Sequence, residues 1–175
     1  MAEGQVLRGG GGLPLYGRNG TILYAQPVSM SVSIVISWEG GKDVDIYACF
    51  DAVSGAVGYS HGSSINADGF TASWSGDNTS GGPENVSIGY SGNRSSLAAV
   101  HFDVHANWYS VGTDSEGNEQ SGGGPATITA TDSAGNVKSY TLMPGTSKHR
   151  AATAGDPGAR LNFNANGTLK SITAC

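Results

Sequence analysis

The chain is poor in charge, in cysteine and in long apolar runs, and each shortage removes a class of function. Only 13% of its 175 residues are charged, with 9 basic against 14 acidic side chains and a net charge of −5. The basic residues are scattered, so no Lys/Arg patch faces phosphates, and no nucleic-acid partner is expected. The same scarcity argues against a polybasic amphipathic helix lying on a membrane. No stretch approaches the ~20 apolar residues of a membrane span. Residues 1–12 hold no apolar segment of the signal-peptide kind, so cytoplasmic synthesis is expected. Two cysteines, Cys49 and Cys175, do not make a disulfide framework. Cys49 sits in a strand-like segment, and Cys175 is read as mobile. Helical periodicity with caps is missing too, as are Walker, dinucleotide-binding and Gly-x-Ser-x-Gly motifs. The chain is therefore not expected to be an enzyme.

What the chain does have is glycine, 28 residues of it, and strict alternation. Val32, Ile34, Ile36 and Trp38 alternate with Ser31, Ser33 and Ser37, the period of a strand with one buried face. Over 43–50, Val44, Ile46, Ala48 and Phe50 take one face and Asp43, Asp45, Tyr47 and Cys49 the other. Further strands are expected at 21–25, 53–59, 70–74, 85–91, 98–107, 126–131, 137–143, 159–163 and 168–173. Turns rich in Gly, Asn and Asp separate them, and Asn166-Gly167 reads as a two-residue hairpin turn. Many short strands at close spacing predict an all-β fold, a two-sheet antiparallel β-sandwich in a single domain over 21–175.

Residues 1–20 read as an arm. Gly9 to Gly12 gives it a flexible joint, followed by the apolar Leu13, Leu15 and Tyr16. Two readings stay open: a floppy terminus, or an arm that Leu13, Leu15 and Tyr16 anchor on a neighbouring subunit.

The chemistry is concentrated in two acidic stretches. Asp43-Val44-Asp45 places two carboxylates on one strand face, about 7 Å apart at the backbone. The loop Ser75-Gly76-Asp77-Asn78-Thr79-Ser80-Gly81-Gly82-Pro83-Glu84 supplies Asp77, Asn78, Glu84, hydroxyls and carbonyls. Oxygen donors without a nucleophile suit a hard cation such as Ca²⁺, which takes ~6–8 oxygens. Read from spacing alone, the same residues are also a solvent-facing strand and a plain polar turn. His101, Asp103 and His105 share a strand face as well, but successive same-face residues are far apart for one metal. They are read as an exposed polar face.

The order of these pieces resembles the tellurium-resistance TerD-like, or bacterial stress-protein, domain. The likeness rests on Ser37-Trp38, Asp43-Val44-Asp45-Ile46-Tyr47-Ala48, the loop through Glu84, and Ala99-Val100-His101-Phe102-Asp103-Val104-His105-Ala106. It extends through the hairpin formed by 126–132 and 137–142. The resemblance implies a β-sandwich with a calcium site drawn from Asp43, Asp45, Asp77, Asn78 and Glu84. The loop departs from the family in carrying fewer acids, which weakens cation binding. A second expectation is a structural virion or filament protein, such as a phage decoration, fibre or tail component, whose partners are copies of itself or other structural subunits. A carbohydrate-binding or hydrolytic sandwich ranks below both, with Trp74 and Trp108 as sugar platforms.

Overall fold

A computed structural model describes residues 6–8, 14–22, 24, 27–38, 43–79, 81–109, 116, 124–144 and 151–175. Eleven strands follow in chain order: β1 (Ser29–Trp38), β2 (Val44–Phe50), β3 (Val57–Gly58), β4 (Ser64–Ala67), β5 (Phe70–Trp74), β6 (Glu84–Ser91), β7 (His101–Trp108), β8 (Ala126–Asp132), β9 (Val137–Leu142), β10 (Gly158–Phe163) and β11 (Leu169–Ala174). They form two antiparallel sheets, in the orders β4-β5-β6-β1-β8-β9 and β11-β10-β7-β2-β3. The fold is therefore all-β with two sheets, as the alternation predicts. Among the described residues there is no helix, and so none long and apolar enough to cross a membrane.

The inner faces are the apolar faces of the sequence. Val32, Ile34, Ile36, Val86, Ile88, Ala126, Ile128 and Ala130 line one sheet; Val44, Ile46, Ala48, Phe102, Val104 and Leu161 line the other. An aromatic cluster joins the sheets near one edge. Phe50 of β2 meets Phe70 of β5 with ring centroids 4.8 Å apart, and Phe70 meets Tyr90 of β6 at 4.6 Å. Such tilted pairs add to the burial of the rings themselves.

Several local expectations shift. The strand expected at 53–59 shrinks to Val57–Gly58, because Gly55 and Gly58 take positive φ angles and turn the chain. The strand β4 is unforeseen, since Ile65 is its one large apolar residue. The strand expected from 98 starts at His101, after a turn in which Leu97 accepts a hydrogen bond from Val100. The turn after β10 is not a two-residue one. Asn164 and Thr168 pair across a three-residue loop in which Gly167 alone has positive φ, with a register shift at Asn162/Phe163. Cys175 is held, its N–H donating to the Gly158 carbonyl.

The N-terminal segment pairs with itself. Isolated bridges join Val6 to Tyr24, Arg8 to Pro14 and Tyr16 to Ile22, so Ile22 and Tyr24, expected in a sandwich strand at 21–25, pair with the N-terminal segment instead. Leu13 lies outside the described residues, as does the Gly9 to Gly12 joint. Leu15 and Tyr16 are exposed.

One inward-facing carboxylate ties the two sheets together at a corner. Asp132 ends β8 in the same row as Ala130, and accepts hydrogen bonds from the backbone N–H groups of Ala134 and Asn136 and from the Asn136 amide. It also accepts one from the N–H of Leu169, in the opposite sheet, at 2.7 Å. Burial works against its charge, but these four donors outweigh it and hold its pKa below the usual carboxylate range. Its stabilising contribution is present above the ordinary Asp pKa and is lost as pH falls through the depressed value. Asp132→Ala is expected to lower the unfolding free energy by about 2–4 kcal/mol in urea titrations near neutral pH, because it orphans buried donors.

Candidate metal centre

The carboxylates of Asp43, Asp45 and Asp77 converge at the mouth of the sandwich. Each contributes an oxygen, and these atoms lie within 4.8 Å of one another. Asp45 lies at the start of β2, on its outer face opposite the apolar row, and Asp43 immediately precedes the strand. Asp77 comes from the loop 75–83, which leaves β5 of the other sheet. With Tyr59, Thr79 and Tyr109 they line a cavity of about 170 Å³.

The loop reaches this place because it is fastened at its base. Glu84 begins β6 in the inward row of Val86 and Ile88 and is fully buried. Its Oε2 accepts a hydrogen bond from Trp74 Nε1–H at 2.8 Å, and its Oε1 accepts one from the Asn78 N–H at 3.1 Å. Ser75 and Asn85 exchange two further bonds, Ser75 N–H to the Asn85 carbonyl and Asn85 N–H to Ser75 Oγ. Gly82 lies so close to the Trp38 ring that an added Cβ would sit 3.0 Å from it. This close approach lets the loop pack down rather than stand off.

The five expected ligands therefore divide. Asp43, Asp45 and Asp77 meet. Glu84 and the backbone of Asn78 form the brace behind them, with Glu84 turned into the sandwich rather than toward the cavity. Tyr59 and Tyr109 were not singled out in the sequence. Tyr109 is the residue paired with Asp43, to whose carbonyl its N–H donates at 3.2 Å, so only the β2–β7 register reveals it. Trp108 is buried and donates its Nε1–H to the Gly124 carbonyl, while Trp74 serves Glu84.

The electrostatics of the triad are unbalanced. Asp45 is only 3% exposed, and among the described residues its carboxylate meets no cation and no hydrogen-bond donor. Burial, then the charges of Asp43 and Asp77, push its pKa up to about 7. Asp43 is raised by burial and by Asp77, and its buried Oδ1 has no hydrogen-bond partner among the described residues. Glu84 is also pushed up to about 7, chiefly by burial, with its two donors pulling the other way and Asp77 and Asp45 adding repulsion.

Raised carboxyl pKa values mean that the folded chain holds protons the unfolded chain releases. Stability from these groups is present at acid pH and falls as pH rises from about 4 to about 7. Metal-free protein is thus expected to melt at a lower temperature at about pH 8 than at about pH 5.5. Asp45→Asn, which keeps the shape and removes the charge, is expected to flatten that slope and to raise the melting temperature at the higher pH; scanning calorimetry at both pH values reads it. Compared with known proteins, the chain matches no family model, no curated protein and no solved structure.

Proposed function

We propose that this protein is a non-enzymatic β-sandwich module that binds a hard divalent cation, Ca²⁺, at Asp43, Asp45 and Asp77, and acts through ion-supported protein–protein assembly. The observation that carries the reading is Asp45, more than nine-tenths buried and with no cation or hydrogen-bond donor among the described residues, in the wall of a cavity it shares with two other carboxylates, one of them with a buried oxygen, Asp43 Oδ1, that also lacks a partner among the described residues. An unpaired buried charge of this kind costs several kcal/mol unless a cation or a proton relieves it. The donors are all oxygen, which favours Ca²⁺ over thiophilic metals. The 4.8 Å limit on their separations is within the reach of one ion with bonds of about 2.3–2.6 Å to each oxygen. Thr79, Tyr59 and Tyr109 border the same space, and water would complete the shell. Because two ligands belong to one sheet and the third to a loop of the other, the ion would clamp the sandwich mouth. The resemblance of the motif order to TerD-like domains supports this reading.

Titration calorimetry of the metal-free chain with CaCl₂ is expected to show one binding event, abolished by Asp45→Ala and by Asp77→Ala. A wild-type titration without heat, combined with an unchanged melting temperature in Ca²⁺, overturns the reading.

A structural-subunit reading has its own observation. Leu7, Leu15, Tyr16, Ile22 and Tyr24 are all exposed, and all lie in the N-terminal segment that pairs with itself. Five exposed large apolar side chains within one segment suit contact with a second structural subunit. Deleting residues 1–20 is expected to reduce the mass of any assembly seen by light scattering to that of a folded monomer. An unchanged assembly mass excludes a role for the arm.

A further inference from the structure

A second group of donors, of different chemistry, lies on the outer face of the five-stranded sheet. His105 of β7 is 6% exposed. Its Nδ1 is 2.9 Å from the Asp156 carbonyl oxygen. A carbonyl only accepts, so Nδ1 carries the proton and Nε2 presents its lone pair. That lone pair faces Cys175 Sγ, 3.8 Å away. An oxygen of Asp103 lies within 4.8 Å of both donor atoms.

The contact exists because residue 158 has no side chain. Gly158 pairs with His105 across β7 and β10, and Cys175 hydrogen-bonds to its carbonyl from the other side. A Cβ on residue 158 would lie 2.6 Å from His105 Cε1 and 2.7 Å from Cys175 Sγ, and would press on Nδ1 as well. The imidazole thus reaches over the glycine to the thiol. Asp103 holds Arg160 through two hydrogen bonds of 2.8 and 2.7 Å, which neutralises the guanidinium next to the pair. Two of the four lone-pair positions of that carboxylate are used, leaving others available.

We propose that His105 Nε2 and Cys175 Sγ, with Asp103 beside them, form a binding site for a borderline divalent cation of the Zn²⁺ class, separate from the oxygen-only triad. Zinc bonds of about 2.3 Å to sulfur and about 2.0–2.1 Å to nitrogen span up to about 4.3 Å between the two donors, so the 3.8 Å gap takes one ion without movement of either side chain. The second ring nitrogen donating to a backbone carbonyl is the arrangement that fixes tautomer and orientation in metal-ligating histidines. The ion takes the place of the thiol proton: the S–H bond breaks, a sulfur–metal bond forms, the proton passes to solvent, and nothing is oxidised or reduced. The remaining positions fall to Asp103 or to water, which reaches the exposed Cys175. Because the ion displaces the thiol proton, binding strengthens as pH rises.

Co²⁺ is the probe, because a cobalt–thiolate bond gives a near-ultraviolet charge-transfer band that oxygen ligands do not. Titrating the reduced full chain with CoCl₂ is expected to produce this band at one equivalent, with Zn²⁺ displacing it. Cys175→Ser, an exposed and conservative change, is expected to abolish it. His105→Gln is expected to weaken binding about tenfold or more. Asp45→Asn is expected to leave the band intact, which separates this site from the carboxylate triad. Absence of the band in the wild type, or its survival in Cys175→Ser, overturns the proposal.

Discussion

The structure depends on the closure of two apolar sheet faces against each other. Every strand that contributes to the core does so with alternate residues, so the residues between them are committed to the outside before any site exists. In β2 this commitment places Val44, Ile46, Ala48 and Phe50 in the core and puts Asp45, Tyr47 and Cys49 on the outer face. In β7, packed beside it, Asp103, His105 and Asn107 fall opposite Cys49, Tyr47 and Asp45 in register. The polar chemistry of the molecule is the reverse side of its core.

Two carboxylates break the pattern, and both do so at the ends of inward rows. Glu84 and Asp132 occupy positions that period two assigns to apolar residues. Each is buried and each is held by hydrogen-bond donors that bind a loop or a strand end to the sheet. Their place at the rim spares the sandwich centre an unsatisfied polar group. They are braces. Asp43 and Asp45, beside Asp77, differ from these and from Asp103 with its Arg160: among the described residues the buried Asp43 Oδ1 has no hydrogen-bond partner, and burial with neighbouring negative charge raises both carboxyl pKa values. That contrast within one chain is what separates structural acids from candidate ligands.

Much of the fold was legible in the sequence, and the parts that were not have physical causes. The strands β1, β2, β5, β6 and β8 carry long clean alternation and were readable within a residue or two. The strand β4 was not, because an edge strand with one large apolar residue leaves almost no pattern. Residues 53–59 looked like a strand by composition, but backbone freedom at Gly55 and Gly58 overrode it. For the site, the common face of Asp43 and Asp45 followed from period two alone. The loop acids looked equivalent on paper, yet Asp77 turns to the strand aspartates while Glu84 turns into the sandwich.

The sequence by itself determined which residues share a face and that the faces would pair into a two-sheet sandwich, because those properties follow from local period and turn chemistry. Only the tertiary structure decided which faces meet which. The approach of Asp77 to Asp43 and Asp45, the pairing of Tyr109 with Asp43, and the contact of His105 with Cys175 across Gly158 join residues tens of positions apart. Strand register and loop closure set these meetings, and both are properties of long-range contacts that local periodicity does not encode.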